Sequence, residues 1–143
     1  METQNYANHR QTVPMFRVLF GLIALTLIGS LVNLYESFGD HSRLYNASLI
    51  AVLVLCVLLL FFFTRVFALK AQDRAIRAEE NLRHFVLTGK LPDSRLTIRQ
   101  IIGLRFASDD ELVSLARRAV EENLSEDQIK RAVKNWRPDT YRA

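Results

Sequence analysis

The sequence predicts an all-α fold: a two-span transmembrane helical hairpin whose second helix extends into the cytoplasm, followed by a small C-terminal three-helix domain. Three observations carry it. Residues 18–35 and 47–64 contain no Asp, Glu, Lys or Arg, and only eleven residues separate the two runs. No proline lies between Pro14 and Pro92 and no glycine between Gly39 and Gly89, so nothing breaks a helix begun in the second run. Beyond residue 93, apolar residues recur at helical spacing behind serine-led start signals.

A helix rises about 1.5 Å per residue, so roughly 20 apolar residues cross the ~30 Å hydrocarbon core. The chain divides accordingly into an N-terminal tail (1–17), a first span (18–35), an external loop (36–46) and a second span (47–66). The tail carries Arg10 and Arg17 against Glu2, and the stretch after the second span carries Arg65, Lys70, Arg74 and Arg77 against Asp73. The loop has Glu36 and Asp40 against Arg43. Basic residues near membrane ends resist translocation, so both termini are expected in the cytoplasm. Tyr35 and Tyr45 fall at the outer boundary, and Phe16 and Phe67 at the inner one. A cleaved signal peptide is the weaker reading of the first run. The run is long, no small-x-small site follows it, and a second span comes at once.

The formal charge of +4 is local: residues 65–105 hold nine Lys/Arg against four Asp/Glu, whereas 106–143 hold seven against eight. Positive charge concentrated beside the bilayer fits anionic lipid headgroups, with Arg17, Arg65, Lys70, Arg74 and Arg77 as the contacts, better than nucleic acid. The single cysteine, Cys56, sits within the second run and excludes a disulfide framework.

The second helix is expected to run on past the membrane to about residue 87, a rod about 60 Å long, with 67–92 forming a basic juxtamembrane helix and turn. Ala68, Ala71, Ala75, Ala78, Leu82 and Phe85 recur at alternating spacings of three and four. That is the seam of a short coiled coil or of a helix packed closely on a neighbour. Self-association and folding of the rod onto its own C-terminal domain both answer to it. Gly89 and Pro92 then stop the helix.

Residues 93–143 form the expected cytoplasmic domain. A short helix is predicted at 97–106, a second at 109–122 behind the capping box Ser108 to Glu111, and a third at 126–136 behind Ser125 to Gln128. Leu124 and Ile129 suit a hydrophobic staple. About 45 residues bury little surface alone, so support from the rod, the bilayer or another chain is expected.

Thr26, Gly29 and Asn33 share one face of the first span, where small and polar residues let helices approach; packing against the second span is preferred over a contact with another protein. Neither span holds an ionisable side chain that could relay protons. Lys130, Arg131, Lys134 and Arg137 make the last two helices resemble a helix-turn-helix, but neighbouring carboxylates offset the charge. A protein contact using Trp136 is the better expectation. His9, His41 and His84 fall at different membrane levels, and no metal, cofactor, phosphate-loop or nucleophile-elbow spacing is found. The leading expectation is a non-enzymatic scaffold, anchor or accessory subunit that meets itself or a larger membrane complex. Alternatives are a homo-oligomeric two-span channel lined through Gly21, Thr26, Gly29 and Asn33, and a membrane-tethered nucleic-acid binder.

Gln4-Asn5-Tyr6-Ala7-Asn8-His9, Val13-Pro14, the hairpin, Arg99 through Ala107, Leu124-Ser125 and Ile129 through Trp136 together resemble a family of small bacterial integral-membrane proteins, domain of unknown function 6526. The resemblance covers nearly the whole chain. It implies a bacterial inner-membrane protein and supplies no catalytic residues.

Overall fold

A computed structural model describes residues 4–8 and 13–139. His9 and Arg10, named above, lie outside the described residues. Five α-helices follow in order: α1 (Pro14–Glu36), α2 (His41–Thr88), α3 (Ile98–Leu104), α4 (Asp109–Glu121) and α5 (Glu126–Ala132). The chain divides into two compact units, Thr12–Ala68 and the described residues of Met1–Gln11 with Leu69–Ala143. The long helix α2 contributes its first part to one and its last part to the other.

In the first unit, α1 begins with Pro14 in its first turn, where the missing N–H is no loss. Gly39 takes φ +104 in the connection, and the Asp40 carboxylate accepts from the N–H groups of Ser42 and Arg43, both at 3.1 Å. With this cap α2 starts at His41, so residues 41–46, expected in the loop, are helical. Buried and half-buried positions on α2 run Leu44, Ala47, Ala51, Val54, Leu58, Phe61 and Arg65, spaced alternately by three and four. On α1 the matching set is Phe16, Ile23, Leu27, Ser30 and Leu34. The most buried positions of the two sets include the small residues Ser30, Ala47 and Ala51, which allow close helix approach, and Phe16 stacks on Phe61 with ring centroids 4.3 Å apart. Most of the remaining apolar surface is exposed: 11% of each apolar window is buried within the chain, and both helices are long and apolar enough to cross a membrane.

In the second unit, α3, α4 and α5 enclose a core of Ile101, Ile102, Leu104, Leu112, Leu115, Ala119 and Ile129, to which α2 adds Ile76. The support expected for so small a cluster therefore comes partly from α2. Gly89, at φ +72, ends α2 and returns its N–H to Phe85 O at 2.7 Å. The box at Ser125 and Gln128 is formed, and Leu124 and Ile129 are both buried beside it. A second reciprocal box, Thr97 with Gln100, starts α3.

The box expected at Ser108 is not formed. Ser108 makes no side-chain cap, and its hydroxyl is buried without a hydrogen-bond partner among the described residues. Glu111 is drawn away because its carboxylate accepts from Lys134 N and Asn135 N, both at 3.0 Å. The third helix also stops early, at Ala132 instead of Trp136. Val133 is extended (ψ 123), and the chain pairs back on the α3–α4 connection through Ser108 N to Asn135 O (3.1 Å) and Arg137 N to Phe106 O (2.8 Å). Gly103 in α3 marks a close approach of α5. A Cβ there would meet Glu126 O and the Ile129 Cγ2 at 3.1 Å.

Gln100 ties the unit together. Buried at 5% exposure, it donates from Nε2 to Ala119 O and Leu124 O, both at 3.0 Å, while Oε1 accepts from Thr97 N at 2.9 Å. Gln100→Leu strands these groups in the core and is expected to lower stability by about 2 kcal/mol. Thermal unfolding of the full chain in mild detergent, with loss of amide protection in α4 and α5, measures it.

Candidate functional site

The C-terminal part of α2 carries two differently used faces. The first is occupied by the chain itself through an ionic network whose centre, Arg83 and Glu80, is nearly buried while Asp109 and Arg137 stay open to solvent. Arg83, with its side chain 11% exposed, donates from Nε to Asp109 Oδ1 at 2.6 Å, from Nη1 to Glu80 Oε2 at 3.0 Å and from Nη2 to Ala107 O at 2.7 Å. Arg137 approaches the other oxygen of Glu80 at 3.7 Å. Beside them Arg105 pairs with Asp139 at 3.1 Å and lies over the Phe106 ring. An open cleft of about 320 Å³ borders Ile76, Glu79, Glu80, Arg105, Arg137 and Asp139. Its cations and carboxylates alternate and largely neutralise one another, which suits a locked joint better than a ligand of one charge sign.

The second face is the expected seam. Ala68, Ala71, Ala75, Ala78, Leu82 and Phe85 are all exposed, and Val86, Leu87 and Leu91 extend the apolar surface. The unit packs on α2 through Ile76, Glu80 and Arg83 instead, so the fold-back onto the domain exists but uses another side of the helix. The charged residues flanking the seam, Lys70, Arg74, Arg77 and Glu79, are exposed and form no ion pair among the described residues.

Other expected site residues are distributed differently. Thr26, Gly29 and Asn33 are exposed, so their intrachain packing against the second span is not what the structure has; the seam with α2 lies on the neighbouring Ile23–Leu27–Ser30 face. The Thr26 hydroxyl bonds Leu22 O at 2.8 Å, within its own helix. Trp136, expected at a partner surface, is half-buried and tilted over the fully buried Phe106 with centroids 4.8 Å apart. It closes the core because the chain behind α5 is extended rather than helical. Arg65 lies over the Phe16 ring at 5.2 Å, and Arg17 is exposed. Lys130 and Arg131 bond the carboxylates of Glu126 and Asp127 one turn back, at 2.6 and 3.0 Å. Among the described residues no group of three or more His, Cys, Asp or Glu could hold a metal ion.

Sequence reading missed a strap formed by the N-terminal tail. Gln4 and Asp139 exchange bonds, Asp139 N to Gln4 Oε1 at 2.7 Å and Gln4 Nε2 to Asp139 O at 3.4 Å. The Tyr6 hydroxyl donates to Asp127 Oδ1 at 2.5 Å and accepts from Arg131 Nε at 3.1 Å, with the Arg131 guanidinium 5.0 Å from the ring centroid. The Tyr6 hydrogen bond, reinforced by Arg131 and Lys130, holds the Asp127 carboxyl below the usual carboxylate range. No local pattern announces contacts spanning more than a hundred residues of sequence.

The geometry defines a helical protein with two apolar helices of membrane-spanning length and a small helical unit locked to the end of the second. The whole chain, residues 1–143, matches the family of unknown function DUF6526, and the chain belongs to that family. No curated protein and no solved structure matches it.

Two outcomes follow. Arg83→Ala leaves the Glu80 carboxylate poorly compensated and is expected to destabilise the C-terminal unit by about 3 kcal/mol, whereas Glu80→Leu with Arg83→Met recovers part of the loss. Unfolding midpoints of the three proteins compare them. For the strap, a carboxyl with a lowered pKa contributes above its unfolded value and loses that contribution as pH falls through the folded one. Hydrogen exchange at residues 4–8 should therefore stay constant from pH 8 to 5, allowing for intrinsic rates, and accelerate below about 4. Tyr6→Phe should show the faster exchange throughout.

Proposed function

We propose that this chain is a non-enzymatic integral membrane protein of the bacterial inner membrane, with both termini cytoplasmic, that acts as a scaffold, anchor or accessory subunit. The observation that carries this reading is the exposed apolar face from Ala68 to Phe85, on a helix whose other side is already covered by the chain's own domain. An apolar surface of that extent, outside the stretch that lipid would cover, is the kind that partners use.

The membrane placement draws on the exposed apolar surfaces of α1 and of the first part of α2. It also draws on the distribution of basic residues: Arg10, Arg17, Arg65, Lys70, Arg74 and Arg77 flank the spans on one side, and Glu36 and Asp40 sit between them. Anionic headgroups are the natural neighbours of Arg17, Arg65 and Lys70. Asn33, exposed near the end of α1, can reach the wetter headgroup layer from there.

Extraction of the full chain from native membranes in mild detergent, with molar mass by light scattering and identification of whatever co-purifies, tests the proposal. An assembly larger than one chain, either homomeric or with a stoichiometric partner, is expected. Strictly monomeric material with nothing retained overturns it.

A further inference from the structure

We propose that the occupant of the exposed α2 face is the same face of a second copy, forming a short parallel two-stranded coiled coil held in register by Arg74 of each copy against Glu79 of the other. This rests on the reading above and names its partner.

The heptad positions supply the argument. With Ala68, Ala75 and Leu82 at a, the d positions are Ala71, Ala78 and Phe85. The residues that the domain covers, Ile76, Glu80 and Arg83, then fall at b, f and b, on the far side of the helix. The domain reaches the edge of the a/d side, where Ala75 and Glu79 border the open cleft beside Arg105 and Arg137, yet all six a and d residues stay exposed and two copies can meet there. The surface is more than a row of small side chains: Leu82 is 64% exposed and Phe85 49%, so apolar bulk closes the C-terminal end where alanines allow close approach before it.

Direction comes from the chain. Two copies inserted in one membrane with the same topology send α2 out of it in the same sense, so their seams run parallel. In a parallel pair the g residue of one helix faces the e residue of the next heptad on the other. Here those residues are Arg74 and Glu79, of opposite charge, both exposed and neither ion-paired within the described residues. The pair occurs twice by symmetry. Arg74, expected from sequence among the headgroup contacts, lies nine residues beyond Arg65, roughly 14 Å along the helix, and the proposed pairing instead places it beyond the headgroup layer. It is therefore available to a protein carboxylate.

Disulfide trapping of the full chain in native membranes tests this, in a Cys56→Ser background. Ala78→Cys, at d, is expected to cross-link between copies, and Asp73→Cys, at f, to stay uncross-linked. Arg74→Glu alone and Glu79→Arg alone should each lower the trapped fraction roughly five-fold. The two together should restore it, and the recovery shows that neither change has unfolded the chain. Trapping at Ala78→Cys without recovery in the double variant overturns the Arg74–Glu79 register. Failure to trap at Ala78→Cys, while a different protein co-purifies stoichiometrically, overturns the second copy as occupant and leaves the scaffold reading standing. Failure to trap together with monomeric extracted material overturns both.

Discussion

A helix surface is finite in circumference, and the division of α2 among its neighbours is the constraint on which the other features rest. In its first part the positions alternating by three and four from Leu44 to Arg65 go to α1. In its last part Ile76, Glu80 and Arg83 go to the C-terminal unit. Each is a narrow stripe, because two helices in contact share only a ridge and a groove. What remains is broad and must be solvated by lipid, by water or by protein. Along residues 47–64 the remainder is Leu, Val, Ile and Phe, compatible only with lipid or another apolar surface. Beyond Arg65 it splits into a charged flank and an apolar seam, and only the flank suits water.

The C-terminal unit shows how a cluster too small for an ample core becomes defined. Its apolar residues are few, so buried polar groups with full complements of partners fix the geometry: Gln100 between α4 and the turn before α5, and Arg83 on Ala107 O, Glu80 and Asp109. Such groups contribute modestly when satisfied and penalise every arrangement that leaves them unmatched. The residues that carry the family resemblance have this character. Leu104, Arg105, Phe106 and Ala107 are all buried, and Gln4 and Tyr6 form the strap. Their side chains are taken up in packing and pairing within the unit.

Where a signal was periodic or local, the sequence was legible. The apolar runs, the uninterrupted second helix, the stop at Gly89, the box at Ser125 and the number of helices beyond it all follow from spacing and capping chemistry. Where two local preferences competed, tertiary contacts decided. Ser108 and Glu111 satisfy the capping pattern, yet two backbone N–H groups behind α5 compete for the same carboxylate and hold it. Ala132 to Trp136 continue a helical stripe, yet the buried Phe106 ring takes Trp136 as its cover and the chain straightens to allow it. On α1 the Thr26–Gly29–Asn33 stripe and the Ile23–Leu27–Ser30 stripe adjoin one another, and periodicity alone does not rank them. The structure buries Ser30 with Ile23 on α1, and Ala47 and Ala51 on α2.

The seam differs from these cases because no competitor among the described residues claims it. A helix face made largely of alanine has little side-chain entropy to lose on meeting a partner, so a contact of modest area can suffice. Confinement in a membrane reduces the cost further, since orientation and one translational dimension are fixed before the seams touch, an effective-concentration advantage of the kind tethering gives. Alanine contributes little per residue to such an interface. Its value is that backbones approach closely, which strengthens the electrostatic pairing of flanking groups such as Arg74 and Glu79 by excluding water between them. An association strengthened by the membrane, yet sufficient to persist in mild detergent, is what the proposed contact between copies entails.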